Sequence, residues 1–578
     1  MTDMRRALLW GVFSMSLVML WDGWNQHTGQ PSMFHPSAQA PTATTPHADA
    51  GVPPAASGAA ALPGATGVPG AAQAPAAAAS AAATAEAPKS ELVTVTTDTL
   101  KATVDSRGGT LVRVELLNYR DPSDAKRNIT LFDRSTERVY TAETGLIPTR
   151  AGEVLPNHFT VMAVQPGERA LAAGQNELKL QFEGNAGGIK LVKTFTFHRG
   201  DYTIGVQQQV VNTGAAPTGV QAYYQLVRDG NPTPDASSFY STFTGPAVYT
   251  EAGKFQKVEF KDIEKRGASD KPSHETQGDN GWVAMVQHYF TSAWLLGDKT
   301  QREFFTRKVS TNLYAAGMTV PLGDIAPGAT KTLEARLYVG PQEENKLETL
   351  APGFDLVKDY GWLTILAKPL FWLLLKLHSL IGNWGWSIVA LVVLLKAAFY
   401  WLNASAYRSM GKMKAINPKV MELRERYKDE PQKMQQEMMR IYREEKVNPL
   451  GGCLPIVVQM PFFIALYWVL LSSVEMRNAS WFYIADLAQP DTLFGVLPLV
   501  HMPLGPLPIL MTLSSLFQVW LNPTPPDPVQ AKMMWMMPLA FSVMFFFFPA
   551  GLVLYWLTNN LLSIAQQWWI NKKLGVTG

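Results

Sequence analysis

At 578 residues the chain is too long for one domain, and a formal net charge of only +3 excludes a whole-molecule nucleic-acid binder. Its single cysteine, Cys453, excludes an intramolecular disulfide, and no His/Cys cluster has metal-ligand spacing. Nearly all the long apolar runs fall in the last ~220 residues, a membrane-type composition that the polar front part lacks.

The N-terminus carries Arg5 and Arg6, then an uncharged stretch from Ala7 to Trp21. That pattern is a signal peptide or a signal anchor. Ala38-Gln39-Ala40 has the form of a cleavage site but lies well beyond the apolar run, which favours an uncleaved transmembrane anchor over 1–24. Either way the arginines stay cytoplasmic and the following segment is exported. Residues 25–90 are an Ala/Pro-rich linker that cannot bury enough apolar area to offset its ordering entropy, so they read as a disordered tether.

From 91 to 350 the pattern has period two. Val112, Val114 and Leu116 alternate with other residues, and Leu191, Phe195 and Phe197 lead through a turn at Arg199-Gly200-Asp201 to Ile204, Val206 and Val210. Gly108-Gly109 marks another turn. An antiparallel β-sandwich follows, with the acidic stretch Glu343 to Leu350 as the best place for a helix.

Residues 361–381 are apolar and membrane-length. Yet Thr364, Lys368, Lys376, His378 and Ser379 share one sector of a helical wheel, and Pro369 breaks or bends the helix. This reads as an amphipathic helix lying flat at the interface. The next apolar stretch, 384–402, is the second expected span and holds Lys396 near its middle. A charge at that depth costs about 2.5–3.5 kcal/mol on insertion scales. No other long apolar segment carries a mid-span acid to pair with it, so the lysine is expected to face a wet cavity. Four further spans are expected within 450–570: Leu454–Leu471, Pro506–Leu521, Met533–Phe548 and Gly551–Ile570. The second and third of these are short for a hydrocarbon core of ~30 Å, which thins the bilayer beside them.

Residues 405–449 form the densest basic loop, so this loop and the short tail 571–578 belong in the cytoplasm. Had 361–381 also crossed, the loop would lie outside. Met410, Met413, Val420 and Leu423, then Met434, Met438 and Ile441, make it a pair of amphipathic helices turning at Asp429-Glu430-Pro431. The hairpin is either a solvated charged face or a docking site carried by Arg408, Lys412, Lys419, Arg424 and Arg426.

Three motifs complete the picture. Gly382-Asn383-Trp384-Gly385-Trp386-Ser387 precedes the charged span. Glu445-Lys446-Val447-Asn448-Pro449-Leu450-Gly451-Gly452-Cys453 and Gln459-Met460-Pro461 follow the hairpin, and Phe548-Pro549-Ala550-Gly551-Leu552-Val553-Leu554-Tyr555-Trp556 opens the last span. In order and spacing these resemble the YidC-type membrane protein insertases, in the Gram-negative form with a large periplasmic domain.

The resemblance implies a polytopic α-helical membrane protein of the bacterial inner membrane. It would have six transmembrane helices, a five-helix insertase core, a periplasmic antiparallel β-sandwich and both termini in the cytoplasm. It implies a groove open to the cytoplasm with a basic residue in the second span, here Lys396, where many relatives have arginine. It implies no enzymatic activity and no cofactor. The partners would be nascent membrane proteins, the Sec translocon, a ribosome or targeting factor on the hairpin, and the lipid bilayer. Further groove residues would be Gln459, Tyr555, Trp556, Asn559, Asn560, Ser563 and Gln566; polar groups inside spans serve equally well as ties between helices. Met460, Met534, Met537 and Met544 suit a surface along which cargo slides, and equally an ordinary core or lipid face.

Covalent chemistry finds no support: Gly411-Lys412 is followed by Met413, so there is no phosphate loop, and no nucleophile–base pattern stands out. Two rival classes remain, an anion transporter using Lys396 and an envelope scaffold acting through the β-domain.

Overall fold

The computed structural model describes residues 90–573 except 122–123, 125, 234–235, 237–241, 268–269, 428–429, 446–453, 499–501 and 523–527. The expected anchor (1–24), all but the last residue of the tether (25–90), the motif residues Lys446–Cys453 and the tail beyond Lys573 lie outside the described residues. The chain divides into two compact units, one ending at Lys358 and one beginning at Asp359.

The first unit holds two nine-stranded antiparallel sheets. One runs from edge to edge through Leu92–Thr96, Leu100–Asp105, Thr110–Arg120, Asn128–Arg134, Val139–Pro148, Thr218–Asp229, Leu313–Ile325, Arg302–Ser310 and Gln277–Gly278. The other runs through Lys254–Lys257, Gly245–Thr250, Trp282–Val286, Phe290–Leu296, Thr330–Pro341, Thr203–Asn212, Ile189–His198, Glu177–Ala186 and Ala163–Val164. Side-chain alternation explains the layering. On Glu177–Ala186, Leu178, Leu180 and Phe182 are buried while Glu177, Lys179 and Gln181 are exposed. Gly187 and Gly188, at φ +57° and +75°, close the hairpin to Ile189, and a Cβ on Gly187 would lie 2.0 Å from the Val154 carbonyl oxygen. Gly108, Gly109 and Gly200 also take positive φ, at the turns the sequence marks. The acidic stretch forms a helix over Glu344–Leu350 (α2). A second short helix, Phe260–Lys265 (α1), has no clear periodic signal.

Polar ties join the sheets. Trp294 Nε1 donates to the Gln225 carbonyl oxygen at 3.1 Å. Lys193, fully buried, donates to the carbonyl oxygens of Gly108 at 2.6 Å and Thr144 at 2.7 Å. Burial pushes the Lys193 ammonium down to about 7.

The second unit is helical: α3 Thr364–Ile381, α4 Trp384–Ala398, α5 Tyr400–Arg426, α6 Pro431–Glu444, α7 Leu454–Ser472, α8 Pro506–Leu521, α9 Pro528–Phe545 and α10 Ala550–Lys573. The first motif is a helix boundary. Gly382 leaves α3 at φ +74° and donates its N–H to the His378 carbonyl at 2.7 Å. Asn383 caps α4 by accepting from the Trp386 N–H at 3.2 Å. A Cβ on Gly385 would lie 2.2 Å from the Trp481 ring, so only glycine lets that indole pack there. Asp491, 4% exposed, anchors the start of α8: it accepts from the Leu507 N–H at 3.0 Å and the Tyr483 hydroxyl at 2.8 Å. A Cβ on Gly505 would meet the Asp491 carboxyl at 2.0 Å.

Two expectations about the helices need correction. Pro369 does not break α3, which runs unbroken from Thr364 to Ile381; a proline in the second turn removes only one backbone bond. Nor is 384–402 a straight span. The chain turns by 68° between α4 and α5 at Phe399, although Phe399 N still reaches the Leu395 carbonyl at 3.0 Å. No proline or glycine stands at the turn, so the sequence carries no signal for it. Among the described residues α3 alone is a single helix long and apolar enough to cross a membrane, and α4 with Tyr400–Met413 qualifies only as a bent pair. The apolar helices Val458–Ser472, Pro506–Leu521 and Ala531–Phe545 are shorter.

Lys193 sets a pH dependence for the β unit. Its folded-state pKa lies below the unfolded value of 10.5, so between about pH 7 and pH 9.5 the unfolded chain holds the extra proton and stability rises with pH. Above that window buried hydroxyls such as Tyr223 and Tyr224, pushed up by burial, reverse the slope. Urea unfolding of the isolated β unit, followed by Trp282 and Trp294 fluorescence, should show a higher midpoint at pH 9 than at pH 7, and Lys193→Met should flatten the difference. In the helical unit Gly505→Ala should destabilise by about 1–3 kcal/mol through overpacking, read as a lower melting temperature of the detergent-purified protein.

Candidate functional site: the cavity beside Lys396

Lys396 stands in the last turn of α4, three residues before the bend. Its Nζ donates to Ser563 Oγ on α10 at 2.7 Å. Ser563 is buried, and its own hydroxyl proton goes to the Asn559 carbonyl oxygen at 2.7 Å. The Tyr407 hydroxyl on α5 also bonds Ser563. One neutral oxygen therefore donates once and accepts twice, which fills its capacity. Among the described residues no carboxylate pairs with Lys396.

A cavity of about 30 Å³ adjoins the lysine, between α4, α7 and α10. It is lined by Val392, Leu395, Lys396, Phe399, Gln459, Phe462, Phe463, Leu466, Tyr555 and Asn559. That volume holds about two waters and no polypeptide. Its wall is mostly carbon, with Lys396, Gln459, Tyr555 and Asn559 as the polar points.

The structure brings some of the expected residues together and separates others. Asn559, Ser563 and Gln566 lie along one face of α10: Asn559 lines the cavity, Ser563 meets Lys396, and Gln566 Nε2 reaches the Tyr400 carbonyl at 3.4 Å. Asn560 faces α8 instead, donating to Ser515 Oγ at 3.1 Å and Ser514 Oγ at 3.3 Å. That is a tie between helices, and Asn560 does not line the cavity. Trp556 does not line it either; its indole packs on Phe545 at 4.7 Å and Phe548 at 5.5 Å. Met460 on α7 and Met537 on α9 are exposed, and Met534 and Met544 are half-buried. On α9 Met533, Trp535, Met536, Leu539 and Phe541 are exposed as well. So large an apolar surface suits lipid or another apolar chain.

On the hairpin Arg408, Lys412, Lys419 and Arg426 are exposed; the Arg424 side chain lies outside the described residues. Lys419 pairs with Glu445 at 2.6 Å, which ties α5 to the end of α6, and Arg426 stands 3.8 Å from Glu422. Arg408 and Lys412 make no such pair among the described residues.

Sequence reasoning missed three polar residues. Asn403 and Tyr407 lie past the bend, one helical turn apart, on chain read as leaving the membrane. Gln567 is buried on α10 and donates to Asn522 Oδ1 at 2.9 Å, holding the end of α8. The i, i+4 spacing of Asn403 and Tyr407 was the available signal for the first two.

Comparison with known proteins bears on the whole chain. The family model described as the YidC periplasmic domain matches residues 92–373, and that described as 60Kd inner membrane protein matches 376–576. The chain is 53% identical over 581 residues to a membrane protein insertase YidC of Janthinobacterium sp. (strain Marseille), covering 99% of this chain and 100% of that protein. It is 54% identical over 578 residues to a membrane protein insertase YidC of Cupriavidus taiwanensis, covering 99% of this chain and 98% of that protein. A crystal structure of an active YidC insertase with its first transmembrane domain resolved matches at a TM-score of 0.36 and 19% identity, over 83% of this chain and 92% of that one. A β-rich periplasmic domain followed by a helical inner-membrane part is the arrangement of this family, and the chain belongs to the YidC family of membrane protein insertases.

Proposed function

We propose that this chain inserts inner-membrane proteins and helps them fold, alone or beside the Sec translocon, with Lys396 as the polar foothold for the part of the cargo that must cross. The observation that carries this reading is the Lys396 ammonium itself. It is held by a serine hydroxyl beside a cavity and paired with no described carboxylate. A charge kept in an apolar surround without a counter-ion is costly. An acidic or strongly dipolar visitor recovers part of that cost, because attraction is stronger there than in water.

The energetics need no external fuel. Each Leu or Ile placed at the bilayer centre gains about 0.3–0.6 kcal/mol on the insertion scale, so a whole apolar span gains several kcal/mol. The barrier lies in carrying the short polar flank across. In our reading the cavity widens into a groove open to the cytoplasm, Lys396, Gln459, Tyr555, Asn559 and Ser563 receive the flank, and the span slides along the methionine-bearing faces of α7 and α9. Short helices and a thinned bilayer shorten the path. The same reading places an N-terminal anchor in the membrane, the β unit in the periplasm, α3 flat on the interface and both termini in the cytoplasm. The α5–α6 hairpin then meets a ribosome or targeting factor through Arg408 and Lys412, which no described acid engages.

Reconstitution into liposomes tests this. For a single-span cargo with an acidic translocated flank, Lys396→Arg should keep insertion. Lys396→Ala should lower its rate about tenfold, equivalent to about 1.4 kcal/mol of barrier. Equal rates for Lys396→Ala and the parent would remove the charge from the mechanism, and saturable anion flux through the purified protein would favour a transporter.

A further inference from the structure

Just past the bend, Asn403 on α5 lies against Gln459 on α7, whose Nε2 donates to Asn403 Oδ1 at 2.8 Å. Asn403 is 5% exposed, and its Nδ2 is buried with no hydrogen-bond partner among the described residues. Nor does any described group donate to Gln459 Oε1. Turning both amides over changes nothing in this count: one NH2 group and one carbonyl oxygen stay unclaimed. Gln459 also lines the cavity beside Lys396, so the pair sits at its wall.

A buried donor without a partner destabilises the closed arrangement, and any opening that supplies an acceptor relieves it. An unclaimed amide N–H beside an unclaimed amide oxygen is the complement of one peptide unit, which offers a C=O and an N–H. Neither group is charged, so neither selects among side chains. An extended polypeptide flank leaving water carries peptide groups in need of such partners.

We propose that the Asn403–Gln459 pair is a hydrogen-bonding station for the backbone of the translocating flank, engaged when α5 and α7 part to admit it. This rests on the insertase reading and divides the work within it. Lys396 answers to acidic side chains, whereas the amide pair answers to the peptide unit whatever the sequence.

The full-length protein in liposomes tests the division, with two cargoes that share one span and differ only in an acidic or an uncharged flank. Asn403→Leu should slow both cargoes by a similar factor, about threefold to tenfold, whereas Lys396→Ala should slow mainly the acidic one. Asn403→Leu also removes the buried orphan donor, so the melting temperature should hold or rise. A fall in melting temperature that accompanies the loss of insertion would assign Asn403 a structural role and overturn the proposal. Unchanged rates for Asn403→Leu would overturn it as well.

A second measurement stands apart from folding of that variant. In a Cys453→Ser background, Asn403→Cys should form a disulfide with a cysteine placed in the flank of a stalled cargo, in higher yield than Trp401→Cys on the exposed side. Insertion without such adducts would mean that water alone uses the site. A parent protein that inserts neither cargo would sink the insertase reading itself, whereas a competent parent with indifferent Asn403 variants sinks only this inference.

Discussion

One ammonium group organises the helical unit. Lys396 enters from α4, Ser563 receives it from α10, and Tyr407 reaches the same oxygen from α5. Three helices thus converge on one neutral hydroxyl whose own proton is committed to the Asn559 carbonyl. A carboxylate at that point would have closed the site electrostatically and made it a structural pair. A hydroxyl orients the cation and leaves its charge uncancelled, as the proposed role of attracting an acidic flank and then releasing it would need.

The cavity beside the lysine is small and mostly apolar, and this constrains how the unit works. With room for about two waters it admits no polypeptide as it stands. On the function proposed above, widening would come from the helices that line it. Of the helices that line it, α4 has only 15 residues and turns at Phe399. Fixed points lie elsewhere. Asp491 holds the start of α8, Gln567 holds its end, and Gly382 with Asn383 fixes the entry to α4. The β unit is tied across its two sheets by Lys193 and Trp294, a self-sufficient body with its own core.

Much of this was legible in the sequence because it depends on local rules. Period-two alternation around Leu178 and Leu191 marked strands, and paired or turn glycines at Gly108 and Gly200 marked their ends. Lys396 declared itself by cost, since no composition rule tolerates a lone cation in an apolar run. The face shared by Asn559 and Ser563 followed from helical spacing alone. What could not be read depends on which helix meets which. Asn560 and Asn559 are neighbours in sequence, yet one faces serines of α8 and the other the cavity. Trp556 adjoins Tyr555 but turns to Phe545 and Phe548. The bend at Phe399 has no proline or glycine to announce it, and with the bend went Asn403 and Tyr407, taken for chain beyond the membrane. The number of spans was likewise beyond periodicity: the short helices Pro506–Leu521 and Ala531–Phe545 match stretches read as short, but a bent pair stands where one straight span was expected.

The central claim is that the charge on Lys396 is reached by water from the cytoplasmic side alone. In inside-out and right-side-out vesicles of a Cys453→Ser, Lys396→Cys protein, a membrane-impermeant thiol reagent measures that access directly. The account expects labelling when the cytoplasmic face is presented and none from the periplasmic face; labelling from the periplasmic face, or from neither, would contradict it.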